Sequence, residues 1–142
     1  MTGYVVDASV AVKWLIVEPL SKQAAKLLDD DLPLVAPELI YVEAANTLWA
    51  AARRGDIADA DVREAIDVLI DAPLIVPRSM KQLMPAAARL AGDLDHPVYD
   101  CVYLALALQE QRPVVTADRR FQNAVRDHPY LSSQVISLQS LE

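Results

Sequence analysis

Cysteine is all but missing from this chain of 142 residues. Cys101 is the only one, so no internal disulfide can form, and a reducing, cytoplasmic setting is expected. Glycine is scarce too, 3 residues beside 9 prolines, which leaves no room for a long flexible linker. Long apolar runs are absent: Asp, Glu or Arg interrupts each well before the ~20 residues a membrane span needs, so no membrane association is expected. The opening MTGYVVDASV has no basic segment ahead of an apolar one, and no secretory leader is expected from it. Basic residues are outnumbered, 13 Lys and Arg against 20 Asp and Glu, giving a net charge of −7. That balance counts against a protein that grips nucleic acid by surface charge alone. The objection weakens if several acids hold cations, which would place positive charge where a phosphate must sit.

Hydrophobic residues make up 54% of the chain and charged ones 23%, a composition that folds, at a length that suits a single domain over residues 1–142. Short β-rich runs alternate with helical patterns. Strands are predicted at Tyr4-Val5-Val6, Leu34-Val35-Ala36, Leu74-Ile75-Val76, Val114-Val115-Thr116 and Val135-Ile136-Ser137. Helices are predicted through Val10–Leu15, over Lys22–Leu28 with Ser21 as cap, and from Pro37 to Arg54 with Gly55 as the stop. Further helices are expected over Ala58–Ile70, from a Ser79/Gln82 capping box to Leu94, over Val98–Gln111 after Pro97, and over Arg119–Arg126. Strands separated by helices imply an α/β fold, a three-layer α/β/α sandwich with a mainly parallel central sheet. Ligands in such sheets bind beyond the carboxyl ends of the strands.

Most acids have a plain role on polar helix faces or in turns, Asp29, Asp30, Asp31, Asp59, Asp61 and Glu64 among them. Four do not. Asp7 and Asp118 each end a strand, where an Asp also caps the following helix well. Glu43 stands inside the stripe Ile40, Ala44, Thr47, Leu48 and Ala51, where an unpaired carboxylate would cost several kcal/mol or take up a proton. Asn46 adds a polar neighbour one turn on. Asp100 shares a face with Leu104, Ala107 and Leu108, although an acid in a first helical turn also suits the helix dipole. Each of the four can project towards one rim of the sheet, and carboxylates crowded there repel one another unless something positive intervenes. An oxygen-only set suits Mg²⁺ or Mn²⁺ over Zn²⁺.

The segments Val5-Val6-Asp7-Ala8-Ser9, Glu43-Ala44-Ala45-Asn46, Tyr99 to Ala107 and Thr116-Ala117-Asp118-Arg119-Arg120-Phe121 resemble the motifs of the PIN-domain family in order and spacing. The resemblance spans essentially the whole chain and is closest to the small VapC-type toxins of toxin–antitoxin pairs. It implies a PIN-like fold and Mg²⁺- or Mn²⁺-dependent cleavage of RNA, with Asp7, Glu43, Asp100 and Asp118 as the catalytic, metal-holding quartet. It also implies a homodimer and a cognate antitoxin as partners. Ser9 and Thr116 match positions where a hydroxyl supports the acids. Asp93 and Asp95 precede the third motif without an assigned role.

Other residues have plainer expectations. His96 and His128 each lie beside a proline and are expected to be ordinary surface histidines. Trp14 and Trp49 are expected as core or interface anchors. Arg53 and Arg54 are expected to be solvated, whereas Arg119 and Arg120 follow a site acid directly and are the better candidates for RNA contact. Three rival readings fit the residues less well. A phosphatase with an aspartyl nucleophile on the first strand would want a second Asp two residues on, where Ser9 stands. A receiver domain would want paired acids near the N-terminus. A non-catalytic interaction module could keep the fold alone.

Overall fold

A computed structural model of the chain describes residues 3–141. Five strands are present: β1 (Tyr4–Val6), β2 (Leu34–Val35), β3 (Leu74–Ile75), β4 (Val114–Thr116) and β5 (Val135–Ser137). They form one sheet in the order β3-β2-β1-β4-β5, with Tyr4 opposite Leu34, Val5 opposite Val114, and Val115 opposite Ile136. Every pairing is parallel, so the mainly parallel expectation is met in full. Parallel neighbours need crossovers, and helices supply them: α1 (Ala8–Leu15), α2 (Ser21–Asp29), α3 (Leu39–Arg53), α4 (Asp59–Asp71), α5 (Met80–Leu94), α6 (Val98–Glu110) and α7 (Arg119–Val125). The result is the three-layer α/β/α arrangement. Helix α1 packs on α2 and α3, and α5 lies along α6, which crosses β1 and β4.

The core follows from the apolar spacing. Val5, Val6, Val114 and Val115 are fully buried at the centre of the sheet, with Ile40 and Leu48 of α3 and Leu104 and Leu106 of α6 fully buried as well. Helix α6 buries every residue from Cys101 to Ala107, which a single-sided stripe would not do.

Boundaries differ from expectation where a cap was misjudged. Helix α2 is entered through Leu20, held in the left-handed region at φ 71°, and not through a Ser21 cap. The Ser21 hydroxyl instead accepts from the Glu18 amide at 2.9 Å. The Ser79/Gln82 capping box forms as expected, with bonds of 3.1 and 2.8 Å. Two 3₁₀ turns, Leu131–Gln134 and Leu138–Ser140, flank β5 and were not anticipated.

The sheet brings its functional edge together at one place. From β1 the chain crosses to β2 on one side, while β4 joins from the other, so the carboxyl ends of β1 and β4 adjoin at a reversal of strand order. At the opposite end, Gly3 enters β1 with φ +83°, and a β-carbon there would stand 2.0 Å from the Pro33 carbonyl oxygen. Gly3→Ala is therefore expected to lower stability by about 2 kcal/mol or more, the strain of a left-handed residue being compounded by a backbone clash. Urea denaturation checks it, and a wild-type midpoint would refute it.

Candidate active site

Asp7 occupies the joint between β1 and α1 and is buried. Its Oδ1 accepts from the Ser9 hydroxyl at 2.6 Å and from the Val10 amide at 3.2 Å, and its Oδ2 accepts from the Thr116 hydroxyl. One side chain thus caps α1 and also faces the site. The two hydroxyls are tied in turn to the end of β4: the Ala117 amide donates to Ser9 at 2.9 Å and the Asp118 amide donates to Thr116 at 3.0 Å. Burial pushes the Asp7 carboxyl up to about 7, more than these donors lower it, and the charge of Asp100 adds to the rise.

Glu43 is half-buried on the edge of the α3 stripe, where Ile40, Ala44, Leu48 and Ala51 are buried; Thr47, expected within the stripe, is exposed. The Tyr103 hydroxyl donates to Glu43 Oε1 at 2.6 Å. Burial raises the Glu43 carboxyl, the Tyr103 bond opposes the rise, and Asp100 and Asp118 reinforce it. Asp100 sits in the first turn of α6, also raised mainly by burial, with Asp118 adding and Arg120 opposing. Asp118 caps α7, its Oδ1 accepting from the Arg120 amide at 2.9 Å.

The four acids line one open cleft of about 640 Å³ at the carboxyl edge of the sheet, together with Ser9 and Asn46. A second cleft of about 700 Å³ shares Glu43, Asp100 and Asp118 and adds His96 and Arg120. Arg119 is exposed and lines neither cleft, so of the two arginines Arg120 alone borders the acids. Asp95 borders the second cleft, while Asp93 is exposed away from both. Thr116 lies buried behind Asp7.

Three side chains at the site escaped the sequence reading. His96 is no surface histidine: its side chain is only 15% exposed, and Nε2 stands 2.7 Å from Asp100 Oδ2. It also lies against the Phe121 ring. The signal was there in the spacing, His96 preceding Asp100 by one helical turn. Tyr103 follows Asp100 by three residues and was masked by its apolar surroundings. Lys13 lines the first cleft and pairs with Glu18 at 3.3 Å. His128, by contrast, is exposed and uses Nδ1 to accept the Leu131 amide at 3.1 Å, a turn contact remote from the acids. Trp14 anchors α1 to α2 by donating to the Ala24 carbonyl at 2.8 Å, and Trp49 is exposed. Arg54 pairs with Asp56 in solvent.

Among the described residues no three His, Cys, Asp or Glu side chains are gathered closely enough to hold one ion. The acids share a cleft without forming a ready coordination sphere. Their donor chemistry nonetheless fits a hard divalent cation. All are carboxylates, Glu43 and Asp100 are raised mainly by burial and further by like charge from their neighbours, and no cysteine lines the cleft.

A chain with parallel strands and acids at this strand-order reversal has the outline of the PIN domain, whose family model matches residues 4–126. The chain belongs to the PIN-domain family. It is similar to Ribonuclease VapC3 of Pyrobaculum aerophilum, 30% identical over 117 residues that cover 82% of this chain and 89% of that one. It also superposes on the crystal structure of PAE2754 from the same organism with a TM-score of 0.70, at 20% identity, covering 98% of this chain and 85% of the other; this likeness bears on the fold.

The raised Asp7 carboxyl gives a pH dependence of definite sign. A carboxyl whose folded value lies above its unfolded one is charged more reluctantly in the native state, so folding is favoured at low pH. That advantage drains away as pH rises from about 3.8 to about 7 and is gone above. In EDTA, Asp7→Asn should flatten the fall in unfolding free energy across this window. Urea titrations at a series of pH values measure it, and an unchanged slope would show that burial of Asp7 is not its source.

Proposed function

We propose that this protein is a divalent-cation-dependent endoribonuclease of the VapC type, the toxin of a toxin–antitoxin pair. The observation that carries the reading is the convergence of Asp7, Glu43, Asp100 and Asp118, from four separate elements, on one cleft. The similarity to a VapC ribonuclease supports RNA as the substrate. Asp7, Asp100, Asp118 and Glu43 would hold Mg²⁺ or Mn²⁺, which when bound supplies a nucleophilic water near neutral pH and neutralises charge developing on the phosphate.

The protein's own residues prepare the rest. Ser9 and Thr116 hold the Asp7 carboxylate in one orientation, leaving it unable to swing away from the cleft. Arg120 borders the acids on the side of the second cleft and would meet an RNA phosphate there, with Arg119 beside it on the outer surface. Asn46 offers an amide on the wall of the first cleft. No covalent nucleophile is required, so cleavage leaves a 5′-phosphate and a 3′-hydroxyl.

The partners in this reading are a second copy of the chain and a small antitoxin. Exposed apolar side chains on α3 and α4, namely Val42, Trp49, Val68 and Ile70, supply surface for them. Among the described residues no helix is long and apolar enough to cross a membrane. The single buried Cys101 accords with a cytoplasmic setting. Size-exclusion chromatography with light scattering should give the mass of a dimer. A monomer at high concentration would remove the homodimer from the reading.

The decisive assay incubates transfer RNA and ribosomal RNA fragments with Mg²⁺, Mn²⁺ or EDTA and analyses the ends. Internal cutting is expected with either cation and none in EDTA. Asp7→Ala should lower the rate at least about 100-fold with the circular dichroism spectrum preserved, the scale on which loss of catalytic electrostatics is felt. Cutting that survives both EDTA and Asp7→Ala, or a 2′,3′-cyclic phosphate product, would overturn the mechanism. A wild-type chain that neither binds Mn²⁺ nor cuts RNA would be an interaction module.

A further inference from the structure

We propose that Tyr103 is a positioning residue of this site: its buried hydroxyl fixes Glu43 across the space between α6 and α3, so that Glu43 is presented to the cation. The inference rests on the cation-dependent reading above and adds to it a residue that acts through an acid without touching substrate.

The argument begins with placement. Tyr103 is 1% exposed, within a buried run of α6 that is otherwise Cys101, Val102, Leu104, Ala105, Leu106 and Ala107. A phenylalanine would fill the same volume there, so packing alone does not call for a hydroxyl. A buried hydroxyl without a partner is destabilising, and this one has a partner of a particular kind. It donates to Glu43 Oε1 at 2.6 Å, sixty residues away in sequence. A phenol hydroxyl has one proton, and here it is committed to Glu43.

The consequence is directional. A glutamate on a helix edge swings through several rotamers, and a bond to one carboxylate oxygen selects among them while leaving the other oxygen open. Asp100 and Tyr103 are three residues apart on α6 and share one of its faces. One helix therefore contributes an acid of its own and sets the position of a second acid carried by α3. Second-layer hydrogen bonds of this sort typically tune cation affinity by 10–100-fold.

A double-mutant cycle on the full chain tests the idea, with Mn²⁺ alone as the probe and calorimetric titration as the readout. Tyr103→Phe should weaken Mn²⁺ binding roughly 10-fold. In a Glu43→Gln background the same substitution should change the affinity by less than about twofold, because the group it acts through has been altered. RNA cleavage by Tyr103→Phe should fall in kcat with KM unchanged. A purely structural tyrosine would lower the melting temperature and leave the Mn²⁺ affinity alone.

Wild-type affinity in Tyr103→Phe, or an equal loss in both backgrounds, overturns the inference while the ribonuclease reading stands. A wild-type chain that binds no Mn²⁺ overturns both. Should Tyr103→Phe fail to fold, the hydroxyl is followed in the intact chain carrying 3-fluorotyrosine. The Tyr103 fluorine resonance should move on addition of Mg²⁺ in wild type and stay fixed in Glu43→Gln. A resonance indifferent to saturating Mg²⁺ in the wild-type chain counts against the role as firmly as an unchanged affinity.

Discussion

Burying the Asp7 carboxylate where β1 meets α1 takes it out of water, and the loss of hydration must be met by donors on the spot. Three are provided: the Ser9 hydroxyl and the Val10 amide from the first turn of α1, and the Thr116 hydroxyl from the end of β4. The Val10 amide reaches the Asp7 side chain because α1 begins at Ala8, and it is shared with the Asp7 carbonyl at 3.2 Å. The Thr116 hydroxyl is in reach only because β4 pairs beside β1, in a register that sets Val6 opposite Val115. Strand pairing, helix start and loop conformation after β4 therefore all answer to one carboxylate, and Asp118 is carried into place by the same loop.

Electrostatics at the cleft looks unfavourable when only side chains are counted. Burial raises Glu43 and Asp100, the like charge of neighbouring acids adds to both, and the chain as a whole is negative. The backbone offsets part of this. Asp7 caps α1, Asp118 caps α7 and Asp100 lies in the first turn of α6, so three helices bring their positive ends to the acids. Each such interaction is worth about 0.3–1 kcal/mol. The plainer capping explanation for Asp7 and Asp118 and the site explanation are thus the same fact seen twice: the cap makes it tolerable to hold the acid there.

How much could be read from the residues alone follows from which signals are local. Periodicity and caps located the five strands and seven helices to within a residue or two, and the Ser79/Gln82 box was recovered intact. Ser21 misled because its hydroxyl serves the preceding loop, which no propensity encodes. The acids Asp7 and Asp118 were visible as strand ends, and Glu43 as a charge set into an apolar stripe. Tyr103 and His96 were not, for different reasons. Tyr103 lies in a run buried all round, where one hydroxyl does not disturb the apolar pattern. His96 stands before Pro97, which suggests a loop, and that cue hides its one-turn spacing to Asp100. Long-range bonds such as the one between Glu43 and Tyr103 are properties of topology, and sequence spacing carries no trace of them.

The outer strands have a consequence of their own. β3 is two residues long and lies between Pro73 and Pro77, neither of which has an amide proton to offer an incoming chain. β5 is bounded on both sides by 3₁₀ turns that bend the backbone away from a straight continuation. Both margins of the sheet are in this way poor templates for growth by further strands, the ribbon-like stacking that threatens short apolar strands.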